Sequence, residues 1–251
     1  MRFFALTVAA AVALSAPARA QDGTHTFNGY AYDLESGKFL YTEVHRQTIA
    51  GERWLGGTID YYAPDGSRIG HKRLDFSQDP YVPLYQLDLV TGGGYMEGIK
   101  AVTADSIEMQ KKGYGSAKVR AETVKRKGAM VADSGFHSFL RDRFADLVAG
   151  QTVEFTFAVS GELDRYKFRA RRVGDATFEG KPAVHLKVES ATLLRFVAPH
   201  LEVLYEPGQR KLLEYRGISN LHDPRTFEPY SVRIIYPSKR PADAPPLPEG
   251  P

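Results

Sequence analysis

The chain has 251 residues, no cysteine, and 33 basic against 30 acidic side chains, a formal charge of +3. The missing thiols exclude disulfides, a thiol nucleophile and a lipidated cysteine anchor. Without Arg2 and Arg19 the charge falls to +1, so the overall balance points to no class of partner.

Residues 1–20 read as a secretory signal peptide. Arg2 gives a positive start, Phe3 to Leu14 an apolar run too short to span a bilayer, and Ala18-Arg19-Ala20 a small-residue cleavage site. Cleavage after Ala20 predicts a periplasmic or secreted protein that begins at Gln21. No later segment is apolar for long enough to cross a membrane, so the mature chain is not expected to be transmembrane.

Residues 21–236 are expected to fold as a single β-rich domain. "FLYTEVHRQTI" (39–49) breaks at Ala50-Gly51-Glu52, and "RWLGGTIDYY" (53–62) ends at Pro64-Asp65-Gly66, a turn signal from which "SRIGHKRLDF" returns. "PLYQLDLV" meets Gly92-Gly93-Gly94, which reads as a hairpin turn. One stretch has helical periodicity, "DSGFHSFLRDRFADLVAG" (133–150). Phe136, Phe139, Leu140, Phe144, Leu147 and Val148 make one apolar stripe, with Asp133 or Ser134 placed to cap its start and Gly150 its end. Period two returns in "TVEFTFAV", where Val153, Phe155, Phe157 and Val159 face one way and Thr152, Glu154, Thr156 and Ala158 the other. Strands bounded by Gly or Pro continue through "DRYKFRARRV", "KPAVHLKVES", "LEVLYEP" and "RKLLEYRGI". With no βαβ alternation, the fold class is mainly β: a curved antiparallel sheet, a half-barrel or open barrel of about ten or more strands, with one amphipathic helix on its concave face. Residues 237–251 hold six prolines in fifteen residues and predict an extended, disordered tail.

This order of elements, with "LVAGQTVEFTF", "YKFRARRVGDATFEGKPAVHLKVES" and "LEVLYEPGQRKLLEYR", resembles uncharacterised secreted Gram-negative β-proteins of the DUF-3108 type. Their curved sheet is distantly similar to lipoprotein-carrier half-barrels. The resemblance covers Phe136 to Gly217. It implies a packed helix and a greasy pocket, and it carries no catalytic residues.

Chemistry is sparse. Gly113-Tyr114-Gly115-Ser116 lacks the spacing of a nucleophile elbow. Ser134 and His137, with Asp142 a turn further on, could pair for nucleophilic catalysis, but capping is the better use of Ser134. The seven histidines form no His-x-His or His-x-x-x-His pair, so no metal site and no cofactor are expected. Glu202 with Glu206, and Asp60 with Asp65, are carboxylate pairs that only the fold can judge. The chain is read as no enzyme.

Two basic features remain. Arg165, Lys167, Arg169 and Arg171 alternate with Tyr166, Phe168 and Ala170, so four cations line one face of a strand. Seven more lie between Lys111 and Lys127. An address outside the cytoplasm excludes nucleic acid and leaves anionic lipid head groups or wall polymers as the matching partners.

Two functions stand. One is a non-catalytic periplasmic protein carrying a hydrophobic, lipid-like ligand between sheet and helix, lined by Phe136, Phe139, Leu140, Phe144 and Leu147 with Phe155 and Phe157. The alternative is an envelope structural or protein-interaction module with a solid core; a hydrolase comes third. Whether the stripe lines an empty or a filled volume separates the first two.

Overall fold

The structure, a computed structural model, describes residues 22–191 and 200–247. The signal peptide, its cleavage site and tail residues 248–251 lie outside the described residues. Eight strands come first: β1 (Gly23–Asp33), β2 (Phe39–Ala50), β3 (Arg53–Tyr62), β4 (Arg68–Asp75), β5 (Leu84–Leu89), β6 (Tyr95–Val102), β7 (Ser106–Lys112) and β8 (Arg120–Lys125). The short β9 (Met130–Ala132) leads into helices α1 (Gly135–Asp142) and α2 (Phe144–Val148). Then follow β10 (Val153–Val159), β11 (Asp164–Phe178), β12 (Lys181–Ser190), β13 (Leu201–Tyr205), β14 (Leu212–His222) and β15 (Pro229–Ile235).

All fifteen strands form one sheet, ordered β8-β7-β6-β5-β4-β3-β2-β1-β15-β14-β13-β12-β11-β10-β9. Strands β1 to β8 pair as one antiparallel meander and β10 to β15 as another. Strand β1 joins the two by pairing with β15, Tyr30 opposite Ile235. Only β9 and β10 run parallel among the described strands. The mainly β, open-barrel expectation holds.

Local chemistry places the turns. Asp65 accepts the Ser67 N–H at 2.9 Å and Gly66 takes φ 83°, which closes the β3–β4 hairpin where the Pro-Asp-Gly signal lies. The three glycines at 92–94 all have positive φ and carry a 3-10 turn from β5 to β6. Alternation then sets the concave face: Tyr85, Leu87 and Leu89 of β5 stand opposite Ile99, Glu97 and Tyr95 of β6.

The helix expected in one piece is two, meeting at Arg143 (φ −94°, ψ 9°). Hydrogen bonds continue through the junction, Arg143 N–H to Phe139 O and Leu147 N–H to Arg143 O, so this is a bend and the apolar stripe stays on one side. Gly150 (φ 85°) ends α2 as expected, with Gln151 N–H reaching back to Asp146 O. At the start, the capping expectation fails. The Ser134 hydroxyl and N–H both turn to Asp133 Oδ1, and Asp133, at φ 42°, gives its other oxygen to Lys72. Gly135 is required here, because a side chain would strike the Tyr81 carbonyl.

The sheet rolls until its β9 edge lies inside the molecule. Met130, Val131 and Ala132 are all buried, Met130 and Ala132 in one core and Val131 in the other. This overturns part of the β10 pattern. Ala158, expected on the outer side, is buried with Met130 because β10 has core on both faces at that end. The larger core lies under β1 to β7, and the second wraps the two helices.

The tail differs from its expectation as far as residue 247. It folds back over β1: Ala244 is buried beside Tyr30 and Tyr32, and the Tyr32 hydroxyl donates to Asp243 at 3.0 Å. Tyrosine on the outer face of β1 supplies what a proline-rich segment needs, a flat apolar surface with a polar tip.

Candidate functional site

The seven residues expected to line a pocket do come together, and they fill the space between them. Phe136, Phe139, Leu140, Phe144 and Leu147 join Phe155 in one buried cluster, with Leu140 and Leu147 fully buried at 0 % exposure. Ring centroids lie 5.3 Å apart for Phe139 and Phe155, and 5.8 Å for Phe136 against both Phe155 and Phe157. Strand residues Leu186, Val188 and Val203 close the other side. The stripe is core.

On the outer wall, β11 presents Arg165, Lys167, Arg169 and Arg171 as expected, but not as four equal charges. Glu189 lies buried beneath them, taking Arg169 at 2.6 Å and Arg171 and Lys187 at 3.5 Å. The Arg169 hydrogen bond, foremost, holds the Glu189 carboxyl below its usual range. Arg165 and Lys167 make no ion pair among the described residues.

The hydrolase constellation is not assembled. His137 Nδ1 meets the Tyr205 hydroxyl at 2.8 Å, and Asp142 accepts from Tyr81, so neither serves Ser134. Burial lowers the His137 pKa to about 3. Glu202 bonds His185 while Glu206 caps its own turn, and Asp60 takes Arg46 while Asp65 takes Ser67. Among the described residues no His, Asp and Glu side chains group to hold a metal ion. None of their helices is long and apolar enough to cross a membrane.

The larger core holds what the sequence reading missed. Lys72 and Asp133 form a buried ion pair at 2.6 Å, their side chains 4 % and 1 % exposed. Glu97 accepts from Tyr95 at 2.7 Å, Asn220 at 2.8 Å and Tyr85 at 3.3 Å, and burial raises its pKa. Burial also pushes the phenols of Tyr41, Tyr61 and Tyr85 well above the usual range. Glu43 takes His45 at 2.8 Å and Tyr236 at 3.1 Å. A signal was present, since Gly70, Lys72 and Leu74 on β4 and Tyr95, Glu97 and Ile99 on β6 share one side by period two.

Among the described residues, strand β8 at the end of the sheet pairs with β7 alone, and all its residues but Val124 are exposed. Across from it lies the β10–β11 turn, residues 160–163, which reaches over from the far end of the sheet. Leu163, at φ 57°, buries its side chain in the larger core, and Lys111 of β7 donates to the Gly161 carbonyl. Between strand and turn runs a hollow of about 400 Å³, lined by Arg120, Glu122 and Val124 on one bank and Glu162, Leu163 and Arg165 on the other. A second hollow, about 450 Å³, separates Arg216 and Arg233 from tail residues Pro237 and Lys239.

No family model and no curated protein sequence matches this chain. Among solved structures it is similar to a beta-barrel-like protein of a domain of unknown function, DUF1849, from Brucella abortus. The TM-score is 0.51 at 7 % identity, covering 86 % of this chain and 98 % of that one. At this identity the likeness shows the fold alone. It supports the uncharacterised barrel-like part of the expected resemblance and not the DUF-3108 type.

Proposed function

We propose that this chain is a non-catalytic interaction module of the bacterial envelope that meets its partner through its outer wall and open edge. One observation carries the reading: the space between sheet and helices is occupied by the side chains a carrier would need to hold apart. Leu140 and Leu147 have no exposed surface, and the phenylalanines touch ring to ring. The buried charges of the larger core support the non-catalytic half. Lys72, Asp133 and Glu97 are sealed within the core, and the two hollows are lined by other residues. The periplasmic or secreted address rests on the Ala18-Arg19-Ala20 signal.

The test is a hydrophobic fluorescent probe titrated onto the mature, folded protein. No stoichiometric binding is expected, and Leu140→Trp should lower the melting midpoint by overpacking. Stoichiometric binding that Leu140→Trp abolishes without loss of stability would restore the carrier reading. A second reading, contact with an anionic lipid surface, is favoured by the exposed Lys167 and the half-buried Arg165, neither of them in an ion pair among the described residues. Changing both to Gln should then weaken binding to acidic vesicles, most at low salt.

A further inference from the structure

Like charges that face each other across two strands cost stability unless a counter-charge lies between them. On the outer side of the sheet, Arg216 of β14 stands directly opposite Arg233 of β15. The counter-charge is Glu214, buried, two residues before Arg216 and on the same side of the strand. One of its oxygens accepts from Arg216 Nε at 2.6 Å; the other accepts from Arg233 Nε at 2.9 Å and Nη2 at 2.7 Å. A single carboxylate thus holds two guanidinium groups in place, and both arginine side chains remain nearly half exposed. The terminal nitrogens of Arg216 and Nη1 of Arg233 lie outside these bonds.

The other carboxylates nearby are committed. Glu202, opposite Arg216 on β13, pairs with His185 at 3.1 Å and His200 at 3.3 Å. Asp243 of the tail accepts from Tyr32, and Glu179 accepts the Ser238 N–H at 3.2 Å through each oxygen. Lys239, the next residue of the tail, is exposed and makes no ion pair among the described residues. Arg216, Arg233 and Lys239 all line the hollow of about 450 Å³ beside the tail, and Phe178, Leu204, Ile235 and Pro237 give it an apolar wall.

We infer that this hollow binds a small carboxylic acid in its anionic form, its head group on the two guanidinium groups and its apolar body against Phe178, Leu204 and Ile235. Three cations and the carboxylates of Glu179 and Glu214 line the space, so one further negative charge balances it. That suits a carboxylate better than a phosphate monoester, which carries nearly two. The planar fork of a guanidinium matches the two oxygens of a carboxylate. Because Glu214 fixes both arginines beforehand, little side-chain freedom is lost when the ligand arrives. The site goes beyond the interaction-module reading and does not depend on it. Leu204 lines this hollow, whereas its neighbour Val203 belongs to the core around the helices on the other side of the sheet.

The test is calorimetry on the full mature protein at low salt with hexanoate, acetate and hexanol. Hexanoate should bind at one site and about tenfold more tightly than either of the others, since acetate lacks the apolar body and hexanol the charge. Lys239→Gln, on the exposed tail, should weaken hexanoate about threefold and leave the melting midpoint unchanged. Arg216→Lys keeps a cation beside Glu214 but removes the fork, and should weaken hexanoate about tenfold. Absence of saturable hexanoate binding, binding of acetate or hexanol as tight as that of hexanoate, or an affinity that neither variant moves would overturn the inference. The filled-interior reading is tested apart from this site, because Leu140→Trp should leave the affinity for hexanoate unchanged.

Discussion

The two cores are wrapped by one sheet and built on different chemistry. Around the helices, phenylalanine, leucine and valine meet one another, and the His137–Tyr205 hydrogen bond is a polar exception. Under the N-terminal strands, tyrosines share the interior with Lys72, Asp133, Glu97 and Glu43. The first kind of core asks only for volume and shape, so many apolar sequences would serve it. The second asks each charge and hydroxyl for a particular partner, because an unmatched polar group in a dry interior costs far more than a matched one gains. The helices make the apolar core possible by covering the concave sheet. Where no helix covers the strands, the residues themselves must be large, and tyrosine fills the space while its hydroxyl serves the charges.

The sharpest way to break the apolar core is Phe144→Asp. Losing a buried phenylalanine costs about 3–5 kcal/mol, and an unpaired charge in its place adds to that. Loss of the cooperative thermal transition is expected; an unchanged melting midpoint would mean that this face is exposed.

Next in size, Lys72→Met leaves the Asp133 carboxylate buried without its partner and should cost about 3–5 kcal/mol. Adding Asp133→Asn should recover part of it, because no charge then remains inside. Urea midpoints of the two variants measure the difference. If Asp133→Asn deepens the loss, the Ser134 contacts matter more than the charge.

The cores should also respond to pH with opposite sign. Glu97 has a raised pKa through burial, so its contribution is complete below the unfolded value of 4.5 and is lost as pH rises through the folded one. Glu97→Gln should remove that loss. His137 is lowered to about 3, so its contribution is complete above 6.5 and is lost as pH falls from there toward about 3. The ring is only half-buried, which limits the size of that loss. His137→Phe should flatten the acid side of a stability profile and leave the alkaline side alone. Profiles in which both variants flatten the same side would contradict the assignment.

The smallest effect belongs to the outer wall. Arg165→Gln and Lys167→Gln should each change stability by about 0–1 kcal/mol, since Lys167 is exposed and the half-buried Arg165 has no ion-pair partner among the described residues. Arg169→Gln should cost more, since it removes the first partner of the buried Glu189. Equal urea midpoints for all three would show that Arg171 and Lys187 suffice to hold that carboxylate.

Much of this architecture was legible from the residues. Turn signals such as Pro64-Asp65-Gly66, the strict alternation of "LYQLDL" and the i, i+3, i+4 stripe of residues 136–147 each report a local geometry, and local geometry survived folding. What was hidden depends on the rolling of the sheet. Ala158 looked outward because alternation alone assumes a single buried face, whereas β10 has two. Lys72 and Asp133 are 61 residues apart and gave no sign of meeting, although an inward lysine between Gly70 and Leu74 was itself a warning. Filled and empty interiors use the same side chains, so only packing could decide between carrier and module.

The pairing of β1 with β15 sets a schedule for the growing chain. Strand β1 is among the first segments made, and one of its two neighbours is the last strand of the fold. The N-terminal meander can assemble from local hairpins, but the hydrogen-bonding groups of Tyr30 to Asp33 wait until residues 232–235 arrive. Such late, distant closure is slow and leaves an adhesive border exposed meanwhile. A chain cut before Pro229 would keep that border permanently, together with the one on β14. Its fate should be aggregation or capture by a holding chaperone, even though both cores retain nearly all their residues.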